Sequence, residues 1–318
     1  MYLLVLKQLS TMFLIGVCGF IFAKVFKVTD GEQKFLSKLL LYFINPCLVV
    51  NSFNIEFQSE KLKSLGFAIL IGLLFHLVMI LIAVCFSLFK KGEGEEIALA
   101  NDYKRIDRLS IIFTNCGFIG IPLIRGVFGD EGVFFLMGYL ILFNVFVWTY
   151  GLYIMSGSIN LKKIFTNPNI IAVCLGILIF CLPFTLPEII AKPLSMISDL
   201  NTGTAMLLIG MLFAGFKFEK SYLAGIIKVL LVRLVLIAFV NLLIIWGIYS
   251  LTKNHFDSRM ILFVLYICSM CPTATSVPGL AVLFDKDGKY SSLLVSLTSL
   301  FCMLTIPAFV ALAEYLLY

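Results

Sequence analysis

From Tyr2 to Ala23 the chain runs for 22 residues with a single charge, Lys7, and nine more apolar segments follow it. Crossing ~30 Å of hydrocarbon as a helix takes about 20 apolar residues. That succession of segments limits the fold more than any single motif does. They lie near Tyr2–Ala23, Phe35–Phe53, Ser64–Phe89, Leu109–Val127, Val133–Met155, Pro168–Pro183, Pro193–Phe216, Tyr222–Ser250, Met260–Phe284 and Tyr290–Leu316. The sixth is short, but Asn167 followed by Pro168 supplies a cap and a first-turn proline. An all-α polytopic membrane protein with ten transmembrane helices is expected, because a spanning helix satisfies its own backbone where water is absent. Composition agrees: 13% of residues are charged, against about 25% in an ordinary soluble domain.

Lysine and arginine orient the segments. With ten spans both termini share a side, which carries Lys7, Lys61, Lys63, Arg125, Lys192, Lys253 and Arg259, seven of the 24 basic residues. The remaining seventeen fall on the other side, among them Lys24, Lys27, Lys34 and Lys38 after the first segment and Lys286 and Lys289 after the ninth. That asymmetry predicts a multi-pass protein of a cell membrane, inner or plasma, with both termini extracytoplasmic. It also accounts for the net charge of +6 as topology, with no nucleic-acid partner. All nine cysteines sit in apolar segments and their number is odd, which argues against a disulfide framework. The first segment has no small-residue cleavage site and its basic cluster follows it, so it reads as a retained helix. The acidic run Glu93, Glu95 and Glu96 in the connection from Lys90 to Arg108 reads as a solvated face.

The fourth segment contains T-N-C-G-F-I-G-I-P, Thr114 to Pro122. Pro122 donates no N–H and clashes with the carbonyl four residues earlier, so the helical ladder is expected to open there. Open backbone at mid-depth is tolerated only when buried in protein or lining a wet cavity. A helix opened beside an amide, Asn115, and a hydroxyl, Thr114, is the pattern of a transport site. A plain proline kink packed on Gly117 and Gly120 is the alternative.

Shifted by 156 residues, this region lands on the ninth segment: Pro122 meets Pro278, and F-G-D-E-G at Phe128–Gly132 meets F-D-K-D-G at Phe284–Gly288. Five helices per half is odd, so the halves, 1–156 and 157–318, are expected to be inverted repeats, with the interrupted helices marking the site. The ninth segment is interrupted more heavily, C-P-T-A-T-S-V-P from Cys271 to Pro278, with Thr273, Thr275 and Ser276 between Pro272 and Pro278. If the two broken helices cross, the amino ends of their second halves converge, and unpaired N–H groups with partial positive charge suit a carboxylate. No basic residue lies in the middle of either segment.

These residues resemble the auxin efflux carrier family, whose bacterial members include malate and malonate permease-like proteins, within the bile acid/auxin/arsenite transporter superfamily. The resemblance is carried by N-x-x-x-x-G-x-P-L at Asn115, Gly120, Pro122 and Leu123, and by P-T…V-P at Pro272, Thr273, Val277 and Pro278. I-N-P at Ile44–Pro46, N-P-N at Asn167–Asn169 and L-L-I-G-M-L-F at Leu207–Phe213 add to it. It implies crossing fourth and ninth helices and a transport core of helices 3–5 and 8–10 moving, elevator-like, against a scaffold of helices 1, 2, 6 and 7. A homodimer through the scaffold helices is a further expectation. Thr114 stands where plant carriers have proline, and the long central cytosolic loop of those carriers is absent. A small organic acid is therefore expected rather than auxin.

The expected substrate-binding set is Asn115, Thr114, Gly120, Pro122, Pro272, Thr273, Thr275, Ser276, Pro278 and Asn45. The hydroxyls have the plainer alternative of satisfying broken backbone. Asp199 in the seventh segment, with Asn201 beside it and His76 in the third, are the candidates for a coupling H⁺ or Na⁺, since intramembrane ionisable residues are functional by default. Lys228 and Arg233 are expected to snorkel to the cytosolic surface. Cys268 and Cys271 form C-x-x-C without a matching histidine or carboxylate in their segment, and read as packing rather than as a metal site. No cofactor is expected. An enzyme would need H-E-x-x-H, G-x-S-x-G or a paired-acid motif, and ATP drive a phosphate-binding loop; none is present. The expectation is a secondary active transporter of a small organic anion, a carboxylate or auxin-like acid, working by alternating access within the lipid bilayer. A passive anion channel or uniporter is the alternative.

Overall fold

In the computed structural model the described residues are 1–87, 95–157, 166, 168–182, 185–215, 222–252 and 258–317. Asn167, the segment ends Phe89, Pro183 and Phe216, and the connection residues Lys90, Lys91, Glu93, Lys162, Lys163, Lys217, Lys220 and Lys253 lie outside them. The described chain is helical nearly throughout: α1 (Tyr2–Phe26), α2 (Asp30–Ser52), α3 (Ser59–Ser87), α4 (Glu95–Ile112), α5 (Cys116–Ser156), α6 (Pro168–Phe180), α7 (Glu188–Ala214), α8 (Leu223–Leu251), α9 (Ser258–Met270), α10 (Ser276–Leu283) and α11 (Gly288–Leu317). Seven of these, α1, α2, α3, α5, α7, α8 and α11, are long and apolar enough to cross a membrane.

The ten expected spans are not each met by one such helix. The fourth and fifth are joined in α5, which turns a corner at Gly129 (φ 68°, ψ −163°), a conformation open only to glycine. The sixth is met by the shorter α6, and the ninth by α9 and α10 with a gap between them.

Local chemistry sets the boundaries. Lys27 in the left-handed region (φ 52°) stops α1. Thr29 and Glu32 then open α2 with a capping box: the Thr29 N–H donates to Glu32 Oε2 (2.7 Å), and the Glu32 N–H returns to Thr29 Oγ1 (3.4 Å). Two π-helical turns, Leu40–Ile44 and Cys116–Gly120, each stand just ahead of an X-Pro step, Asn45-Pro46 and Ile121-Pro122. Proline removes one helical donor and crowds the carbonyl four residues back. Widening the turn lets Asn45 N–H reach Leu40 O and Ile121 N–H reach Cys116 O instead.

Helices α1 and α7 meet backbone to backbone. A Cβ on Gly210 would lie 1.8 Å from Gly16 O, and one on Gly19 would lie 2.2 Å from Leu207 O. Small residues at such a contact let helices approach without a water-driven force between them. At the centre of the molecule α9 is buried on every face from Ile261 to Met270, as are Ile111–Cys116 between and around the ends of α4 and α5. A helix apolar all round belongs in the interior, so both interrupted helices occupy the core. Leu14, Leu81 and Leu304 face outward at 64%, 63% and 72% exposure, as suits side chains meeting lipid tails.

Candidate functional site

Helix α4 ends at Ile112 and α9 at Met270, and their continuations cross. The crossing is held by backbone. Thr114 and Thr273 form an antiparallel bridge, with Asn115 N–H to Pro272 O at 2.7 Å and Ala274 N–H to Phe113 O at 2.9 Å. Broken helices thus satisfy one another where hydrocarbon offers no partner. The opening of the fourth helix lies at Phe113–Asn115, and Pro122 sits downstream, in the first turns of a resumed helix. The expected opening at Pro122 is corrected accordingly: the π turn absorbs the proline, and the break comes eight residues before it. In the ninth helix Pro272 lies inside the break, whereas Pro278 falls in the first turn of α10, where its missing N–H would have had no partner anyway.

Asn115 does two things. Its Oδ1 accepts from the Phe118 N–H (3.3 Å), capping the resumed helix. Its Nδ2 is buried and has no hydrogen-bond partner among the described residues. A cavity of about 1290 Å³ opens beside it, lined by Asn45, Thr114, Asn115, Thr275, Ser276 and Pro278. Ser276 Oγ, at the start of α10, likewise lacks a partner among the described residues. Asn45 enters from α2 and its Oδ1 accepts from Asn201 Nδ2 of α7. Towards one end the same cavity is lined by Asp30, Lys34, Asp287 and Lys289.

The other four expected residues do not line the cavity; three of them build the crossing and Pro122 meets α1. Thr273 Oγ1 donates to Ser110 O (3.0 Å) and its N–H to Thr298 Oγ1 (3.1 Å). Gly120 lets the two interrupted helices touch, since a Cβ there would come within 3.3 Å of both Cys116 Cβ and Cys271 Sγ. Pro122 offers its carbonyl to Gln8 Nε2 of α1 at 3.1 Å. Pro272 gives its carbonyl to Asn115, as above. Cys268 and Cys271 are buried free thiols.

The three coupling candidates disperse. Asp199 is 67% exposed and pairs with Arg125 (Nη1–Oδ1, 3.3 Å), which also holds Asp130 (3.1 Å). His76 is fully buried, its Nδ1 bonded to Gly72 O at 2.7 Å and its ring tilted against Tyr139 (4.4 Å) and stacked on Phe146 (5.3 Å). Only Asn201 touches the cavity wall, through Asn45.

Arg233 overturns its sequence reading. It does not snorkel: it is fully buried and binds the crossing. Nε donates to Cys271 O (3.1 Å), Nη2 to Ser269 O (2.7 Å) and Cys271 O (2.5 Å), and Nη1 to Ile111 O (3.0 Å) and Met79 Sδ (3.2 Å). The signal was present. Arg233 lies eleven residues past Tyr222, which at 1.5 Å per residue puts it about 16 Å along the segment, too deep to reach an interface. Lys228, one turn or so earlier, is also held, paired with Asp107, which accepts from the Tyr290 hydroxyl (2.6 Å).

No curated protein matches the sequence. The family model described as "Membrane transport protein" matches residues 4–160 and 156–310. With nearly its whole length matched in two successive stretches, the chain belongs to that membrane transport protein family, the auxin efflux carriers that its fourth- and ninth-segment motifs resemble.

Proposed function

We propose that the protein is a secondary active transporter of a small organic anion, held at the crossing of the two interrupted helices and moved by alternating access. The observation that carries this reading is Asn115 Nδ2, a buried amide donor with no partner among the described residues, on the wall of the cavity between the two breaks. A buried donor left unpaired is costly, and a carboxylate oxygen would satisfy it together with the amino ends of α5 and α10.

The cavity mouth is lined from the connections after the first and ninth segments, which the lysine and arginine count assigns to the cytosol. The site is therefore read as open inward, with both termini extracytoplasmic. At the opposite end Arg125 and Asp199 tie α5 to α7, which favours a closed outer gate over a continuous pore. The tight α1–α7 contact supports a scaffold built on those helices, against which the crossing moves.

The test is uptake of radiolabelled malonate and of indole-3-acetate into proteoliposomes, with and without imposed H⁺ and Na⁺ gradients. Saturable uptake of either, driven uphill by a gradient and lost in Asn115→Ala with normal membrane insertion, is expected. Downhill flux alone under every gradient would make the protein a channel or uniporter.

A further inference from the structure

Arg233 gives four of its five hydrogen bonds to one kind of acceptor, backbone carbonyls, and the fifth to Met79 Sδ. Ile111 lies in the last turn of α4, and Ser269 and Cys271 lie at the end of α9. These are carbonyls that a helix leaves without an intrahelical partner. Each such end carries roughly half a negative charge, and each amino end roughly half a positive one. Four half-helix ends meeting at a crossing would therefore cancel. Arg233 breaks the balance, and none of the ion pairs among the described residues gives it a carboxylate. It is carried on a π-helical turn of α8, Val232–Leu236, a local widening common at functional sites.

We infer that Arg233 is the fixed counter-charge that makes the crossing a site for a singly charged anion. Its guanidinium neutralises the two carbonyl ends and leaves the amino ends beside Asn115 and Ser276 unopposed, a net charge near +1 where the cargo sits. A monoanion brings the loaded crossing to neutrality, the cheapest state to hold in a low-dielectric interior. A dianion leaves one uncompensated negative charge, and a neutral molecule leaves the positive one. Arg233 acts from behind the crossing, through its backbone, and so positions and polarises the site without lining the cavity. The inference rests on the anion reading proposed above, and it adds the charge state of the cargo.

Two isosteric pairs test it on the purified full-length protein in nanodiscs, read by ligand-dependent thermal stabilisation. Benzoate and benzamide differ by one negative charge; malonate and malonamate differ between two and one. Wild type is expected to respond to benzoate and malonamate at concentrations about tenfold below those of benzamide and malonate. Arg233→Lys, which keeps the charge, is expected to retain the acid-over-amide preference to within about threefold. Arg233→Gln, checked for wild-type elution and cooperative unfolding, is expected to lose about tenfold or more of it. A role confined to tying carbonyls together would weaken acid and amide alike and leave their ratio intact. An unchanged ratio in Arg233→Gln, or a wild-type preference for malonate over malonamate, would overturn the inference while leaving an anion site standing. If Arg233→Gln does not fold, the wild-type malonate–malonamate comparison decides. Failure of wild type to respond to any of the acids would remove both the anion reading and this one.

Discussion

Asn115 caps the resumed helix and is proposed to hold the cargo through its Nδ2, unpartnered among the described residues, and the two roles can be separated. Removing its cap should cost about 1 kcal/mol, but serine caps a helix about as well as asparagine. Asn115→Ser is therefore expected to unfold within about 0.5 kcal/mol of wild type and to lose ligand-dependent stabilisation; full retention of that stabilisation would show that the amide is only a cap. The hydroxyls of the ninth segment divide in the same way. Thr273→Val strands Ser110 O, which it now satisfies at 3.0 Å, and should cost about 1–3 kcal/mol with ligand response preserved. Ser276→Ala should do the reverse, because its Oγ has no partner among the described residues to lose; thermal unfolding with and without ligand separates the two outcomes. That Asn115 lies at the interruption and lines the cavity was legible in the sequence, because an amide among glycines and a proline in an apolar run marks the place where the helix opens. Thr273, Thr275 and Ser276 read alike, since which hydroxyl meets a carbonyl and which meets the cavity depends on the partner helix.

At the scale of elements, proline marked the right helices but not the right positions. Pro122 and Pro278 align at a common shift of 156, yet the residues bridged across the crossing are Thr114 and Thr273, eight and five residues before their respective prolines. A missing donor says that the ladder must change nearby. Whether it breaks, or merely widens into a π turn, is decided by whether another backbone lies close enough to take up the freed groups. The α1–α7 contact makes a sharper prediction. Gly210→Leu would drive a side chain into the Gly16 carbonyl, and overpacking of this kind typically costs about 1–3 kcal/mol or more. Lower thermal stability and loss of a monodisperse elution peak are expected, while the matching substitution at Gly203, which has open space beside it, should be tolerated.

For the molecule as a whole, the pair between Arg125 and Asp199 is the feature the proposed alternation must break. Exposed ion pairs contribute only about 0–1 kcal/mol, which suits a contact that must open and close. In a cysteine-free background, Arg125→Cys with Asp199→Cys, joined by a short reducible bifunctional thiol reagent, is expected to arrest flux, with recovery on reduction; flux unaffected by complete cross-linking would exclude a gate there. The sequence by itself determined that the chain is a polytopic helical membrane protein of a transporter family, and which two helices are interrupted. The membrane class and the interruptions follow from segment length, apolarity and proline placement, all local properties read against a solvent that forbids unpaired backbone, and the family from the motifs of the fourth and ninth segments. Only the tertiary structure decided that Asp199 sits outside the site and that Arg233, on a helix with no break opening into the cavity, ties the crossing together. A buried charge takes its meaning from the carbonyl ends that surround it, and those ends come from α4 and α9, more than a hundred and more than thirty residues away in sequence.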